Sequence, residues 1–353
     1  KSINLGQGFP DDHGPNAVLQ KASEYLFDTP NQYPPMLGIP ELRQAVAAHN
    51  KRFYDLDIDW KTETMVSSGA TEGLAACFLG LLNQGDEVVV IEPLYDCYLP
   101  MIERAGGIPK RVSIEPPDWK LSGSALRAAF SHKTKLVLIN SPQNPSSKVY
   151  HREELLLIAD LVKEYDAIAI CDEVYEHMTY DGKQHIPIAT LPGMAERTLT
   201  VSSSGKSFGL TGWKIGWCHG PTEMAKAVHT VKQNLTFASG APFQPAIAEA
   251  LALGDEYFEE LARDLCAKRD LISAGLTDIG LQVFPASGTY YVTADVTPLG
   301  YEDGMSFCLD IPKRCGVVAV PTDVFSDPRD TAAEYRLFES YICCLCISFG
   351  WAA

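Results

Sequence analysis

The sequence predicts an α/β protein, with a large domain built on a mostly parallel seven-stranded sheet and a smaller α+β domain at the C-terminal end. Short β-branched runs alternate with helical patterns through most of the middle of the chain, which is typical of parallel strands joined by crossover helices. Several runs are apolar on successive residues, as at 88–91 and 136–139, which favours strands buried on both faces. The rhythm changes after about residue 240, where a long helical pattern precedes shorter strand-like runs.

Each predicted strand is a short run of apolar and β-branched residues, and each helix repeats its apolar residues at the helical period. The predicted strands of the large sheet are 64–68, 87–92, 109–114, 135–140, 167–172, 198–202 and 214–218. The helices between them are near 71–82, 95–105, 124–130, 152–164 and 222–232. The later region is predicted as a helix over 242–276, strands at 281–284 and 289–294, a helix at 306–315 and a strand at 317–320. We therefore expect an N-terminal segment (1–30), a large domain (31–241) and a small domain (242–353).

Charge and cysteine content exclude several classes of protein. The chain has 29 Lys and Arg against 45 Asp and Glu, a net charge of -16, which disfavours nucleic acid and anionic membrane surfaces as partners. Its longest apolar stretches, such as 74–82, are far shorter than the roughly 20 residues that span a bilayer. The ten cysteines, even the dense group at 343–346, lack a second ligand pair at zinc spacing. We expect reduced cysteines, no metal site and a cytoplasmic location.

Four polar segments follow predicted strands, at the edge where such sheets bind ligands. Residues 67–73 form a small-residue turn between a strand and a helix, which suits a phosphate or simply caps the helix. Residues 140–145 follow an apolar strand and contain two prolines together with amide side chains. This composition is typical of a rigid, hydrogen-bonding loop, and a plain turn is the alternative.

The other two segments carry charge. Asp172 ends a buried strand, so its carboxylate requires a cation, a metal or solvent. Lys206 lies in a Gly/Ser loop with Lys214 eight residues later, without the spacing of a P-loop. A lysine in such a cleft suits Schiff-base chemistry, and a solvated loop lysine is the alternative.

In this order and spacing, the segments resemble the class I/II aminotransferases, pyridoxal-phosphate enzymes of fold type I. The likeness extends over about residues 3–337 and favours the subgroup of kynurenine, glutamine and methionine aminotransferases. The motifs that carry it are Asn4–Asp11, Asn31–Tyr33, Ser68–Thr71, Glu92–Tyr98, Asn140–Pro145, Asp172–Tyr175, Ser203–Lys206, Gly212–Trp217 and Val320–Phe325.

The resemblance implies a catalytic set of Lys206, Asp172 and Tyr175. Lys206 would bind pyridoxal 5'-phosphate as a Schiff base and shuttle the substrate proton. Asp172 would face the pyridine nitrogen and keep it protonated. Asn144 and Tyr175 would hydrogen-bond the ring oxygen, and Tyr95 would stack on the ring.

The resemblance also implies sites for the phosphate and the substrate. The phosphate would be held by Gly69, Ala70, Thr71, Ser203 and Lys214. Tyr33 would reach that phosphate from a neighbouring subunit, which implies a homodimer with shared sites. Arg336 would clamp the substrate carboxylate as a bidentate partner, and Gly8 and Asn144 would contact the substrate from other sides.

The sequence departs from the family pattern in three places. After Phe338 it lacks the Phe-x-Lys element and the long C-terminal helix of the family, and the dense cysteines there suggest truncation or a changed reading frame. We therefore expect exposed apolar surface and low stability. Ser147 stands where related enzymes usually have glycine, and Gln143 stands where Asn or His is common.

The function predicted from the resemblance is ping-pong transfer of an amino group from a large neutral or aromatic amino acid to a 2-oxo acid. Kynurenine, glutamine, methionine and phenylalanine are the donor types. Two alternatives stay open: a β-lyase acting on cysteine S-conjugates or cystathionine, and a catalytically impaired protein that retains the fold. A dinucleotide-dependent dehydrogenase is excluded because no G-x-G-x-x-G follows the first strand.

Overall fold

The computed structural model of the chain describes residues 2–9, 13–28, 30–326 and 344–348. The helices are α1 (Asn16–Asp28), α2 (Pro40–Tyr54), α3 (Gly69–Leu81), α4 (Tyr98–Arg104), α5 (Gly123–Ala129), α6 (Arg152–Glu164), α7 (Ser204–Ser207), α8 (Thr222–Leu235), α9 (Phe243–Leu251), α10 (Asp255–Asp278) and α11 (Gly304–Arg314). The strands are β1 (Ile3–Asn4), β2 (Thr64–Ser67), β3 (Glu87–Glu92), β4 (Ile108–Ser113), β5 (Thr134–Asn140), β6 (Ile168–Asp172), β7 (Thr198–Ser203), β8 (Gly216–His219), β9 (Gln282–Val283), β10 (Tyr291–Asp295), β11 (Val317–Val318), β12 (Val320–Pro321) and β13 (Cys344–Ser348).

The central sheet has seven strands in the order β2-β8-β7-β6-β5-β3-β4. The pairs from β7 through β6, β5 and β3 to β4 are parallel, whereas β8 runs antiparallel to both of its neighbours. The predicted α/β class with a mostly parallel seven-stranded sheet is therefore confirmed. Each strand matches its predicted run to within about two residues, the usual uncertainty of element ends.

The continuous apolar runs pack on both faces of this sheet. Val89 and Val137 pack in a core cluster with residues of α5 and α6. Their neighbours Val88 and Leu136 pack in a second cluster with residues of α3 and α8. Because successive side chains of a strand point to opposite faces, a strand covered on both sides has to be apolar at every position.

The region after residue 242 differs from the prediction in three respects. The single strand predicted over 317–320 is divided into β11 and β12, which belong to different sheets. The single helix predicted over 242–276 is wrong, because Gly254 is extended and ends the pattern between α9 and α10. Strand β13 was not predicted; it pairs antiparallel with β10 and β12 in a four-stranded sheet ordered β12-β13-β10-β9. Strand β1 pairs with β11, which ties the N-terminal segment to this region.

The division into three segments, 1–30, 31–241 and 242–353, stays a prediction. The segment after Phe338, apart from β13, lies outside the described residues. The expected effect of its sequence on stability therefore stays a prediction. In the part of the chain that the structure describes, no helix combines the length and the apolar character needed to cross a bilayer.

Candidate active site

One cavity of about 510 Å³ lies at the carboxyl ends of the central strands. It is within the range of pockets that hold cofactors and small substrates. Eleven of the residues predicted for the site line it: Gly8, Gly69, Ala70, Thr71, Tyr95, Asn144, Asp172, Tyr175, Ser203, Lys206 and Lys214. Tyr33 is 82% exposed and is absent from this lining, and Arg336 lies outside the described residues.

Asp172 is a buried carboxylate at the end of β6 that faces the cavity. Its Oδ2 accepts a hydrogen bond from the Tyr98 hydroxyl at 2.6 Å, and its Oδ1 accepts one from the Val174 amide at 3.3 Å. Burial raises its pKa to about 6, although the Tyr98 hydrogen bond acts in the opposite direction. Among the described residues no cationic side chain forms a salt bridge with it, so a cationic group in the cavity would complete its environment.

A candidate anion site lies at the start of α3. The first amides of a helix lack intrahelical partners and carry partial positive charge, and Ala70 and Thr71 present this helix end to the cavity. A Cβ at Gly69, which has φ +76°, would come within 3.0 Å of Lys214 Nζ. The ammonium group thus lies against the helix N-terminus, and no described carboxylate pairs with it. A phosphate would satisfy both groups.

Glycine is required where β8 packs on this helix end. A Cβ at Gly216 would lie 2.5 Å from the Gly69 carbonyl carbon and 2.8 Å from the Ala70 amide nitrogen. Both distances are shorter than van der Waals contact, and the atoms involved belong to the backbone, which cannot move aside as a side chain could. The Gly212–Trp217 motif therefore has a packing role in addition to placing Lys214.

Lys206 extends from the short helix α7, directly after β7. Its Nζ donates to the Gly8 carbonyl at 3.0 Å and to the Tyr290 hydroxyl at 2.7 Å. Gly8 is itself a close-packed position, because a Cβ there would lie 2.7 Å from the Tyr291 hydroxyl. The N-terminal segment thereby reaches the lysine amine. The predicted contact of Gly8 with the substrate stays a prediction.

The loop after β5 is a rigid polar structure. Asn140 Oδ1 accepts from the Asn144 amide at 2.7 Å, and Asn140 Nδ2 donates to the Asp172 carbonyl at 3.0 Å. Gln143 Nε2 donates to the carbonyls of Ile91 and Pro93, at 3.0 and 3.1 Å. Gln143 therefore joins this loop to the end of β3, while the Asn144 side chain is left facing the cavity.

The sequence reasoning missed three tyrosines of this site. Tyr98 holds Asp172, Tyr290 contacts Lys206, and Tyr291 lines the cavity 3.4 Å from the Tyr175 hydroxyl. Two signals could have indicated them: Tyr98 follows Tyr95 by one helical turn, and the Tyr290-Tyr291 pair follows a Gly-Thr turn.

A second polar cluster lies outside this cavity. Ligand-capable atoms of His49, Glu176 and His177 lie within 4.8 Å of one another, a group that the sequence prediction of no metal site did not anticipate. His49 and His177 share a hydrogen bond of 2.9 Å, and the Tyr54 hydroxyl donates to Glu176 at 2.7 Å. In the structure these groups thus serve as hydrogen-bond partners of one another.

The fold and this cavity define a transaminase. The chain belongs to the class I and II aminotransferase family, whose sequence profile matches residues 1–331. It is 45% identical over 337 residues to the probable N-succinyldiaminopimelate aminotransferase DapC of Mycobacterium tuberculosis, covering 95% of this chain and 85% of that protein. It is 38% identical to kynurenine–oxoglutarate transaminase 3 of Mus musculus, covering 93% and 78%.

Solved structures agree with this assignment. The N-succinyldiaminopimelate aminotransferase of Mycobacterium tuberculosis superposes with a TM-score of 0.94 at 43% identity, covering 99% of this chain and 89% of that chain. A methionine aminotransferase of Escherichia coli superposes with a TM-score of 0.93 at 32% identity, covering 99% and 89%.

The chain is a pyridoxal-phosphate-dependent transaminase that acts on amino acids and 2-oxo acids. Its described residues fit the cofactor: the buried Asp172 would complement a protonated ring nitrogen, and Lys214 with the α3 terminus would complement a phosphate. Lys206 would supply an amine for the aldehyde. These three requirements meet in one cavity.

Proposed function

We propose that the chain transfers the amino group of a large neutral or aromatic L-amino acid to a 2-oxo acid by a ping-pong mechanism. The observation that carries this proposal is the set of apolar residues in the cavity lining, which includes Leu5, Leu210, Val320, Val324 and Phe325. In the described lining the only cationic side chains are those of Lys206 and Lys214, both of which we assign to the cofactor. An apolar donor side chain suits such a surface.

Bound pyridoxal phosphate supplies an electron-withdrawing ring that stabilises negative charge at the substrate Cα. We propose that Asp172 keeps the ring nitrogen protonated and that Tyr98 fixes the orientation of this carboxylate. Asn144 and Tyr175 would bind the ring oxygen, and Tyr95 would pack against the ring. Lys206 holds the cofactor and then carries the proton that leaves the substrate.

In the same proposal the phosphate is bound by Gly69, Ala70, Thr71, Ser203 and Lys214. The substrate contacts Gly8 and Asn144, and Arg336 clamps its carboxylate. A planar guanidinium matches a carboxylate in two parallel hydrogen bonds, which fixes the position of Cα.

Replacing Lys214 with alanine is expected to weaken cofactor binding about 10- to 100-fold, the effect of losing a hydrogen bond to a charged group. The Lys214→Arg variant keeps the charge and should retain most of the affinity. The measurement is titration of the cofactor-free protein with pyridoxal phosphate, followed by absorbance. Equal affinity in the alanine variant and the wild type would place the phosphate elsewhere.

We also propose a homodimer in which Tyr33 reaches the phosphate of the partner subunit. Tyr33 is 82% exposed, and its ring packs edge-on against Phe237 with centroids 5.4 Å apart. Phe237 and Phe27 are themselves 43% and 86% exposed. Exposed aromatic surface of this kind is characteristic of an interface.

A mixed-dimer experiment tests the shared site. The Lys206→Ala and Tyr33→Ala variants should each be impaired alone, but a hybrid dimer contains one site with both residues intact. Random mixing should therefore recover about one quarter of the wild-type activity. Activity no greater than the mean of the two parents, with hybrid formation verified by mass, would contradict the shared site.

The similarity to DapC favours a second candidate donor, an N-succinylated diaminopimelate. The two donor classes are distinguished by measuring the rate of cofactor conversion with a panel of donors at matched concentration. Phenylalanine, methionine, glutamine and kynurenine should react at least ten times faster than N-succinyldiaminopimelate. The reverse order would establish the second candidate and overturn the first.

A further inference from the structure

The amine of Lys206 is held by a tyrosine hydroxyl that the roles above leave unassigned. Tyr290 is fully buried, and its hydroxyl lies 2.7 Å from Lys206 Nζ and 2.5 Å from the Gly8 carbonyl oxygen. Lys206 Nζ also donates to that carbonyl, at 3.0 Å. The lysine amine, the phenol and the carbonyl therefore form a closed triangle of hydrogen bonds.

The direction of each bond in this triangle follows from the chemistry of its groups. A carbonyl oxygen only accepts, so Tyr290 donates its single O–H to Gly8. The lone pairs of the Tyr290 oxygen are then left for Lys206, which must donate to them. Lys206 has to be neutral to accept a proton, and a neutral amine has only two N–H bonds, both of which these acceptors take. Its lone pair is consequently directed away from Tyr290 and Gly8.

The backbone that presents Tyr290 adopts an unusual conformation. Thr289 has φ +58° and is fully buried, which is rare for a β-branched residue. Ser147, at the position where related enzymes usually have glycine, has φ +59°. The two hydroxyls lie 2.7 Å apart, and Ser147 Oγ also lies 2.7 Å from the Tyr291 carbonyl.

Further bonds fix the same turn. The Tyr180 hydroxyl donates to the Thr289 carbonyl, and the Thr289 amide donates to the Met178 carbonyl at 3.0 Å. Unfavourable backbone conformations persist where surrounding contacts determine them, and they concentrate at functional sites. The Ser147–Thr289 pair thus connects the loop carrying Asn144 to the turn carrying Tyr290.

We propose that Tyr290 is a further catalytic residue, which orients the Lys206 amine for proton transfer at the substrate Cα. The inference rests on the proposed role of Lys206 and deepens it. When the Cα–H bond breaks, its electron pair stays with the substrate carbon and its proton passes to the Lys206 lone pair. The Tyr290 oxygen accepts an N–H of the resulting ammonium and stabilises it, while the Tyr290 O–H bond remains intact.

The Tyr290→Phe variant tests this role, with Tyr150→Phe as its matched control. Tyr150 is also buried beneath a lysine, with Lys148 Nζ 5.0 Å from its ring centroid, and among the described residues its hydroxyl has no hydrogen-bond partner. Both variants lose one buried hydroxyl. The rate at which an amino-acid donor converts the bound cofactor is measured by stopped flow for the wild type and both variants. Each is measured with a donor that carries hydrogen at Cα and with one that carries deuterium there.

Tyr290→Phe should slow conversion about 10- to 100-fold and increase the deuterium isotope effect, because proton transfer becomes more strongly rate-limiting. Tyr150→Phe should match the wild type in both. A loss of packing alone would not raise the isotope effect. If Tyr290→Phe has the same rate and isotope effect as the wild type, the role of Tyr290 is wrong but the proposed function stands. If the wild-type protein converts no donor, the proposed function is wrong as well.

If Tyr290→Phe does not fold, Ser147→Gly serves in its place. Glycine suits the left-handed backbone at 147 but removes the hydroxyl that holds Thr289. A slower reaction with a larger isotope effect supports the inference, and wild-type values of both contradict it.

Discussion

Replacement of Lys206 with alanine should reduce transamination by at least about 10⁴-fold, because the variant loses both the covalent attachment of the cofactor and the group that moves the proton. Lys206→Arg keeps a cation in the cavity but cannot take up the proton at neutral pH, so it should be equally inactive. The measurement is the rate at which the cofactor is converted by an amino acid in a single turnover.

The control for this experiment is Lys226→Ala, which removes an exposed lysine from helix α8. It should leave the rate unchanged. Transamination within tenfold of the wild type in Lys206→Ala would mean that another group performs the proton transfer, and the site described above would then be misassigned.

Replacement of Asp172 with asparagine should lower the single-turnover rate on the order of 10²- to 10³-fold. The substitution preserves shape but removes the charge that faces the ring nitrogen, and breaking a buried ion pair on one side costs about 3–5 kcal/mol. Asp172→Glu keeps the charge and should recover part of the rate. An asparagine variant as fast as the wild type would show that the ring nitrogen does not depend on this carboxylate.

The pKa of Asp172 predicts that cofactor affinity depends on pH. In the cofactor-free protein burial raises the pKa of Asp172 to about 6, so the carboxyl group takes up a proton as the pH falls through that value. Binding of a protonated ring requires the carboxylate. Cofactor affinity should therefore fall below about pH 6 in the wild type and show no such step in Asp172→Asn. Tyr98→Phe removes a hydrogen bond that lowers this pKa, so its step should lie at higher pH.

Much of the large sheet could be predicted because its strands are buried on both faces. A continuous run such as Val88–Ile91 is difficult to place anywhere else in a soluble protein. The same reasoning failed at 242–276, where apolar residues keep the helical period through the break and Gly254 is the only local signal. It also assigned nothing to α1 and α2, and it gave no strand at β13, whose pairing partners are distant in sequence.

The site was predictable to the extent that its residues directly follow strands. Asp172, Lys206 and the Gly69 turn occupy strand ends, so their chemistry could be read locally. Tyr98 and Tyr290 could not be identified in this way, because a tyrosine among apolar residues is typical of a core. Their roles depend on single hydroxyl contacts to residues 74 and 84 positions away.

Ser147 shows a further limit of the sequence. Ser147 has a positive φ, a conformation that glycine adopts readily and serine rarely does, so the departure from glycine is unfavourable for the backbone. The compensation, however, lies in hydrogen bonds to Thr289 and Tyr291, which only the folded chain brings together.

The most direct test of the account is a two-step spectral experiment on the purified protein loaded with pyridoxal phosphate. Addition of an amino acid without an acceptor should remove the visible absorbance band of the bound cofactor and release one 2-oxo acid per site. Subsequent addition of a different 2-oxo acid should restore the band and release its amino acid. A band that does not change with any donor, or one that is lost with release of ammonia and is not restored, would contradict a transaminase at this cavity.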